Sequence, residues 1–327
     1  MKSFNSKHRV LEYLMTLVLI LTINFFLPRF MPGDPFLSTG DEYEQPFGAN
    51  LSEEQANYYR AYYDLDKPLF WQYKEYYLKL LKGDMGYSIS FKNSVLSMIT
   101  SRLPWTLFMV LTSLLFSCIL GTILGCISAW RRNGKGDKFL FLSMIIFSEI
   151  PSFLLGLLLL FIFGAKLRWF PLSGGVTPFA EHQSSLNLFV DMLQHAILPI
   201  IALTLSRIGG FYLLGRNSMI IVLSKDYMRT AKAKGLKKIR IVFVHALKNA
   251  ILPIITRVFL SLGSMFGGAV LVENVFDYPG VGSLMSAAVT NRDYILLQGI
   301  FVFIALSVLT MNLFADIIYK KLDPRVS

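Results

Sequence analysis

Charge is scarce in this chain. Asp, Glu, Lys and Arg supply only 16% of its 327 residues, whereas soluble domains carry about 25%. That shortfall excludes an ordinary soluble protein. Cysteine is scarcer still, with Cys118 and Cys126 the only two. They lie eight residues apart in one apolar run, so helical rise separates their Cα atoms by about 12 Å, beyond disulfide reach. His8, His182, His195 and His245 are scattered, with no cysteine or carboxylate at ligand spacing, and no metal site can be read. No G-x-x-x-x-G-K motif followed by Ser or Thr occurs. Gly134-Lys135 lacks both the upstream glycine and the following hydroxyl residue that a phosphate cradle needs. No G-x-S-x-G elbow presents a nucleophile. An enzyme is not expected, and neither is a cofactor in this chain. Energy for any work must come from elsewhere.

What is present is apolar: 54% of the residues are hydrophobic, 27 of them Phe. Crossing a hydrocarbon core takes about 20 mainly apolar helical residues. Six runs are of that order: Val10–Leu27, Leu103–Trp130, Phe139–Ala165, Leu193–Leu223, Ala250–Val272 and Tyr294–Ala315. The first follows Lys2, Lys7 and Arg9, as a secretory signal would. However, Pro28-Arg29-Phe30-Met31-Pro32 follows it in place of a small-x-small cleavage site, so an uncleaved anchor is expected. The expected fold class is an all-α polytopic membrane protein with six transmembrane helices.

Lys and Arg in short loops orient such a bundle. The formal charge of +11 gathers in the N-terminal tail, in Arg131–Lys138, in Ser224–Asn249 and around Lys320, Lys321 and Arg325. A nucleic-acid binder would spread it over a folded soluble surface instead. With an even number of spans, this alternation places both termini in the cytoplasm. Residues 31–100 carry ten acids against six bases and are expected outside it. Hydropathy thus divides the chain into 1–30 (tail and first span), 31–100 (an extracytoplasmic segment) and 101–327 (five further spans, with a cytoplasmic loop at 224–249). The aromatic piece Leu65–Leu81 has two readings: a helical cap at the membrane interface, where Trp and Tyr are favoured, or a docking surface for an external partner.

Ser113, Ser117, Gly121, Gly125 and Ala129 recur every four residues in the second run. One face of that helix is nearly flat, so a neighbouring backbone can approach closely. Charges within spans are costly and each raises a functional hypothesis. Glu149, Arg207, Arg216, Arg257 and Glu273 are the candidates. Arg216, Arg257 and Glu273 can also be read as snorkelling from helix ends. Glu149 and Arg207 lie deeper in their runs, where a polar pathway competes with that explanation.

The basic loop carries the most information. Ser224–Asn249 holds eight Lys or Arg against the single acid Asp226, in good helix formers, with Gly235 a helix stop. Its residues Asp226, Tyr227, Arg229, Thr230, Ala231, Ala233, Gly235 and Leu236 form a short helix with an uncluttered surface, suited to a partner's groove. The pattern D-Y-x-R-T-A-x-A-K-G, then H-A-L-x-N-A from His245 to Ala250, resembles the coupling loop of binding-protein-dependent ABC importer permeases. Arg229 and Thr230 replace the usual Glu and Ala of that loop, while His245 and Lys248 replace Ile and Pro. This variant is similar to that of the peptide/nickel branch. Supporting motifs run along the chain in order: Met31-Pro32-Gly33-Asp34-Pro35, Gly83-Asp84-Met85-Gly86, Arg102-Leu103-Pro104, Ile150-Pro151-Ser152, Tyr278-Pro279-Gly280-Val281-Gly282 and Leu322-Asp323-Pro324-Arg325.

The resemblance implies a type I ABC importer permease fold in the inner membrane of a prokaryote. It also implies four partners: a homologous second permease, two cytoplasmic ATPases that bind the ATP and Mg, and an extracytoplasmic substrate-binding protein. The 226–236 segment would contact the ATPases, and Glu149, Arg207, Arg216 and Glu273 are candidates for the translocation pathway. Di- or oligopeptides are the expected cargo, with nickel or a metal chelate as the alternative. A secondary transporter driven by an ion gradient is the rival class. It calls for internal repeats and midplane carboxylates; no repeat is found, and Glu149 is the only mid-span acid.

Overall fold

The computed structural model describes residues 6–26, 67–180, 184–226, 228, 247–263 and 265–322. The helices are α1 (Ser6–Phe26), α2 (Leu69–Leu81), α3 (Val95–Trp130), α4 (Lys135–Glu149), α5 (Ser152–Leu159), α6 (Ser185–Leu223), α7 (Leu247–Gly263), α8 (Met265–Val275), α9 (Val281–Thr290) and α10 (Tyr294–Leu322). A π-helical stretch, Leu160–Lys166, prolongs α5. The described strands are β1 (Tyr87–Ser88) and β2 (Asn93–Ser94), an antiparallel hairpin with Tyr87 opposite Ser94. The architecture is all-α in its spans, as expected.

Each expected span falls on a helix, but two of them are not single helices. Val95–Trp130, Ser185–Leu223 and Tyr294–Ile317 are long and apolar enough to cross a membrane, and the count reaches five if each of two bent pairs is one span. The third expected span is broken between Glu149 and Ser152, where the axis turns by 98°. Proline is the cause. Ile150 precedes Pro151 and is driven out of the helical region to φ −80°, ψ 124°. The fifth bends by 64° between Pro253–Leu262 and Gly267–Val275, with Gly263, Gly267 and Gly268 flanking the bend. Proline alone does not decide the matter, because Pro104 and Pro199 sit inside continuous helices. Membrane helices accommodate such residues when neighbours satisfy the freed backbone groups.

By its internal contacts the chain forms two compact units, Met1–Pro104 with Gly280–Leu309, and Trp105–Pro279 with Thr310–Ser327. In the first, Val95 and Ile99 pack with Val281, Leu284, Leu296 and Ile300. Asp293 organises its polar side and is only 2% exposed. Its carboxylate accepts hydrogen bonds from Ser88 Oγ at 2.5 Å and Ser90 N at 3.1 Å, which pins the hairpin. It also accepts one from Leu296 N at 3.0 Å, which caps α10. Asp293→Ala removes the cap and both hairpin bonds together. It should destabilise this unit by about 2 kcal/mol and open residues 88–91 to limited proteolysis. Unchanged cleavage would show that the hairpin is held by other means.

In the second unit the core draws Leu114 from α3, Leu155 from α5, Leu203 and Phe211 from α6, Ile254 from α7 and Val272 from α8. The small-residue face of α3 meets α6. A Cβ added to Gly121 would lie 2.7 Å from Ile208 O, and one added to Gly125 would lie 2.4 Å from Tyr212 O. Here the helices touch backbone to backbone.

Candidate functional site

The second unit collects most of the charges that the spans contain. Arg207 projects from α6 and is half-buried. Its Nη2 lies 3.7 Å from the position a Cβ on Gly268 would take, beside the bend that leads into α8. Ser152 stands at the other break, as the first residue of α5, and its Oγ is 3.5 Å from Gly268 O. The two broken spans therefore meet next to one guanidinium. The sequence puts Glu149 well inside the apolar run Phe139–Ala165. Instead it is exposed at the last residue of α4 and makes no ion pair among the described residues. Arg257 is exposed on α7.

Glu273, near the end of α8, is fully buried. Its Oε1 accepts a hydrogen bond from Thr106 Oγ1 of α3 at 2.7 Å, and its carbonyl accepts one from Tyr278 N at 2.8 Å. Tyr278 is equally buried and sets its ring edge against Trp105 at 5.7 Å. Burial, and after it the nearby Glu273 charge, push the Tyr278 phenol above its ordinary range. The carboxylate thus ties the α8 end and its following turn to the start of this unit's part of α3.

Arg216 does not snorkel. It faces Asp137 of α4, with Nη2 at 3.0 Å from Oδ2 and Nε at 3.1 Å from Oδ1, a two-pronged pair. Asp137 also accepts from Asn133 N at 3.0 Å and from Ser128 Oγ. Ser128 shares a hydrogen bond of 2.6 Å with the Tyr212 hydroxyl, and the guanidinium lies 5.4 Å over the Phe141 ring. One network thereby joins the end of α3, the start of α4 and the C-terminal part of α6. Asp137 carried no special mark in the sequence, where it stood as one acid among basic loop residues. The signal that could have found it is Arg216 itself. An arginine about two turns inside the end of a span needs a carboxylate, and Asp137 is the acid that precedes the adjacent span.

Of the coupling-loop candidates, Asp226 is exposed just after α6. Tyr227, Arg229, Thr230, Ala231, Ala233, Gly235 and Leu236 lie outside the described residues. Met228 is described and fully buried, in a cluster with Cys126 and Ala129 of α3, Met219 and Val222 of α6 and Ala250 of α7. Cys126 and Ala129 flank Ser128, and Met219 is one turn from Arg216. The start of the basic loop is seated beside the Asp137–Arg216 pair.

Comparison with known proteins gives a consistent picture. A family model described as "Binding-protein-dependent transport system inner membrane component" matches residues 121–327. The oligopeptide transport system permease protein AppB of Bacillus subtilis is 34% identical over 319 residues, 97% of each chain. The di/tripeptide transport system permease protein DppB of Pseudomonas aeruginosa is 32% identical over 324 residues, 94% of each. Among solved structures, a chain of the inward-facing MetNI methionine ABC transporter superposes with a TM-score of 0.57 at 15% identity, covering 70% of this chain and 97% of that one. That likeness speaks for the fold, the type I ABC importer permease fold.

Proposed function

The chain belongs to the family of binding-protein-dependent transport system inner membrane components, and from that premise we propose that it forms half of the translocation pathway for di- and oligopeptides. The observation that carries the cargo assignment is similarity along nearly the whole chain to permeases named for oligopeptides and di/tripeptides. The family is one of transport components rather than enzymes. In this reading a homologous second permease completes the pathway, two cytoplasmic ATPases bind and hydrolyse ATP, and an extracytoplasmic binding protein delivers the peptide. Both termini and the 224–249 loop face the cytoplasm of a prokaryotic cell, and the spans lie in its inner membrane.

The 226–236 segment is the ATPase contact in this reading. Met228 supports it, because the buried side chain fixes one end of that segment to α3, α6 and α7. Displacing the segment would then pull on the cluster beside Arg216 and, through Asp137, on α4. The break after Glu149 turns such a displacement into a change of angle between α4 and α5. Arg207, where the two breaks meet, and Glu273, which closes the α8 end against Thr106, are the pathway residues the geometry favours. Glu149 offers an exposed carboxylate at the same break, and Arg216 acts on the path through its pair with Asp137.

Gly235→Arg tests the coupling assignment. The substitution puts a bulky side chain where a helix stop and close approach are expected. Uptake of labelled di- and oligopeptides should be lost while membrane insertion stays near normal. Unchanged uptake would remove the coupling role. Uptake of nickel chelates but of no peptide by the unaltered importer would remove the cargo assignment.

A further inference from the structure

Helix α2 plays no part in the reading above, yet it is firmly placed. Tyr73 and Tyr77 hydroxyls lie 2.8 and 3.1 Å from Thr22 Oγ1 of α1, and Tyr77 donates to the Val18 carbonyl at 3.1 Å. The Tyr73 ring packs edge-on against Phe25 at 5.2 Å. These partners fix the depth of α2. The apolar part of α1, Leu11–Phe26, rises about 24 Å, most of the roughly 30 Å of a hydrocarbon core. Val18 sits eight residues before its last residue, Phe26, about 12 Å back along the axis. A tyrosine's own length spans part of that distance, but the Phe25 contact keeps the backbone of α2 level with the last turns of α1. Thus α2 runs beside the end of a membrane helix rather than beyond it.

Adjoining the tyrosine face, α2 exposes an apolar surface that also carries Lys74. Phe70, Trp71, Leu78 and Leu81 are 73%, 54%, 41% and 84% exposed, and their i, i+7 and i, i+8 spacings put them on one side of the helix. Exposed side chains of α1 itself, such as Met15 and Leu19 at 65% and 59%, present the same kind of surface to lipid. Lys67–Lys82 carries four lysines against Glu75 alone, and the Lys74 ammonium lies 5.1 Å over the Trp71 ring. An exposed apolar surface with Trp, carrying a lysine that can snorkel from its middle and held at the end of α1, is the pattern of a helix lying in the membrane interface.

We propose that α2 is embedded in the leaflet at the C-terminal end of α1, with phospholipid as the occupant of its Phe70–Trp71–Leu78–Leu81 face. The acyl chains cover this stripe, and the lysines favour anionic headgroups. The inference rests on α1 crossing the membrane and not on the cargo, so it stands or falls separately from the peptide assignment. The test uses the complete importer, lacking Cys118 and Cys126, in nanodiscs of phosphatidylethanolamine and phosphatidylglycerol. Nitroxides on Leu78→Cys and Leu81→Cys report accessibility to oxygen, which concentrates among acyl chains, and to a nickel chelate confined to water. Leu115→Cys, at a position 56% exposed on α3, is the lipid reference, and Ser94→Cys in β2 is the water reference. Oxygen should dominate at positions 78 and 81 as at 115, with the order reversed at 94. A water-like pattern at both α2 positions would overturn the proposal. Exclusion of both reagents there would overturn it too, since it marks a covering protein.

Discussion

Gly125→Leu should prevent the protein from accumulating in the membrane, the largest effect expected of any single change discussed. A Cβ at this position would stand 2.4 Å from the Tyr212 carbonyl oxygen and 2.8 Å from the Arg216 nitrogen. Both obstacles are backbone of α6, so no side-chain rotation relieves them. The helices must move apart, and the Leu branches then need more room again. Overpacking a core commonly costs about 1–3 kcal/mol when side chains can adjust. Here the adjustment separates two spans and draws Tyr212 and Arg216 away from Ser128, so the cost should exceed that range. Gly210→Ala is the matching control, because a Cβ there meets nothing within 4 Å. Membrane yield and the melting temperature of the purified complex provide the readout. A Gly125→Leu protein with wild-type yield and melting would mean that α3 and α6 are not packed this closely.

This contact was legible in the sequence, and the reason is geometric. Residues four apart share one face of a helix, so Ser113, Ser117, Gly121, Gly125 and Ala129 announce a flat side whatever the partner. The break at Ile150-Pro151 was not legible as a break. Hydropathy averages over the residue that leaves the helix, and a proline between two apolar stretches is compatible with both a kink and a continuous span. Pro199, within the unbroken α6, shows the second outcome in the same chain. The misplacement of Glu149 follows from that error, since a residue in the middle of a straight span becomes the exposed end of a short helix once the axis turns. Asp137 and Arg216 are 79 residues apart, and only the packing of α4 on α6 brings them together. The Asp293 anchor is hidden for the same reason, because Ser88 lies 205 residues away.

Breaking the Asp137–Arg216 pair from either side should be nearly as damaging, while removing both charges should be tolerated. The side chains are 5% and 16% exposed, so neither is freely hydrated. Asp137→Leu leaves the guanidinium with the Ser128 and Tyr212 hydroxyls but no counter-charge, and it strands Asn133 N as well. Arg216→Met leaves a carboxylate facing Ser128 and Asn133 without its counter-charge. Removing one member of a buried pair typically costs about 3–5 kcal/mol, whereas exchanging the whole pair for apolar residues is often neutral. Asp137→Leu with Arg216→Met should therefore recover much of the stability that each single change loses. Tyr212→Phe removes one hydroxyl from the same network and should cost only about 1 kcal/mol. Melting temperatures of the four complexes form a double-mutant cycle, and its coupling energy isolates the pair from the rest of the network. Additive losses would show that the two charges do not depend on each other, against the geometry. Uptake per assembled complex separates the two roles of the pair. If Asp137 passes the motion of the Met228 segment to α4, the apolar double variant recovers its yield but transports less per complex, because packed methyl groups slide where a two-pronged ion pair holds. If the pair only stabilises the fold, uptake per complex returns with the yield.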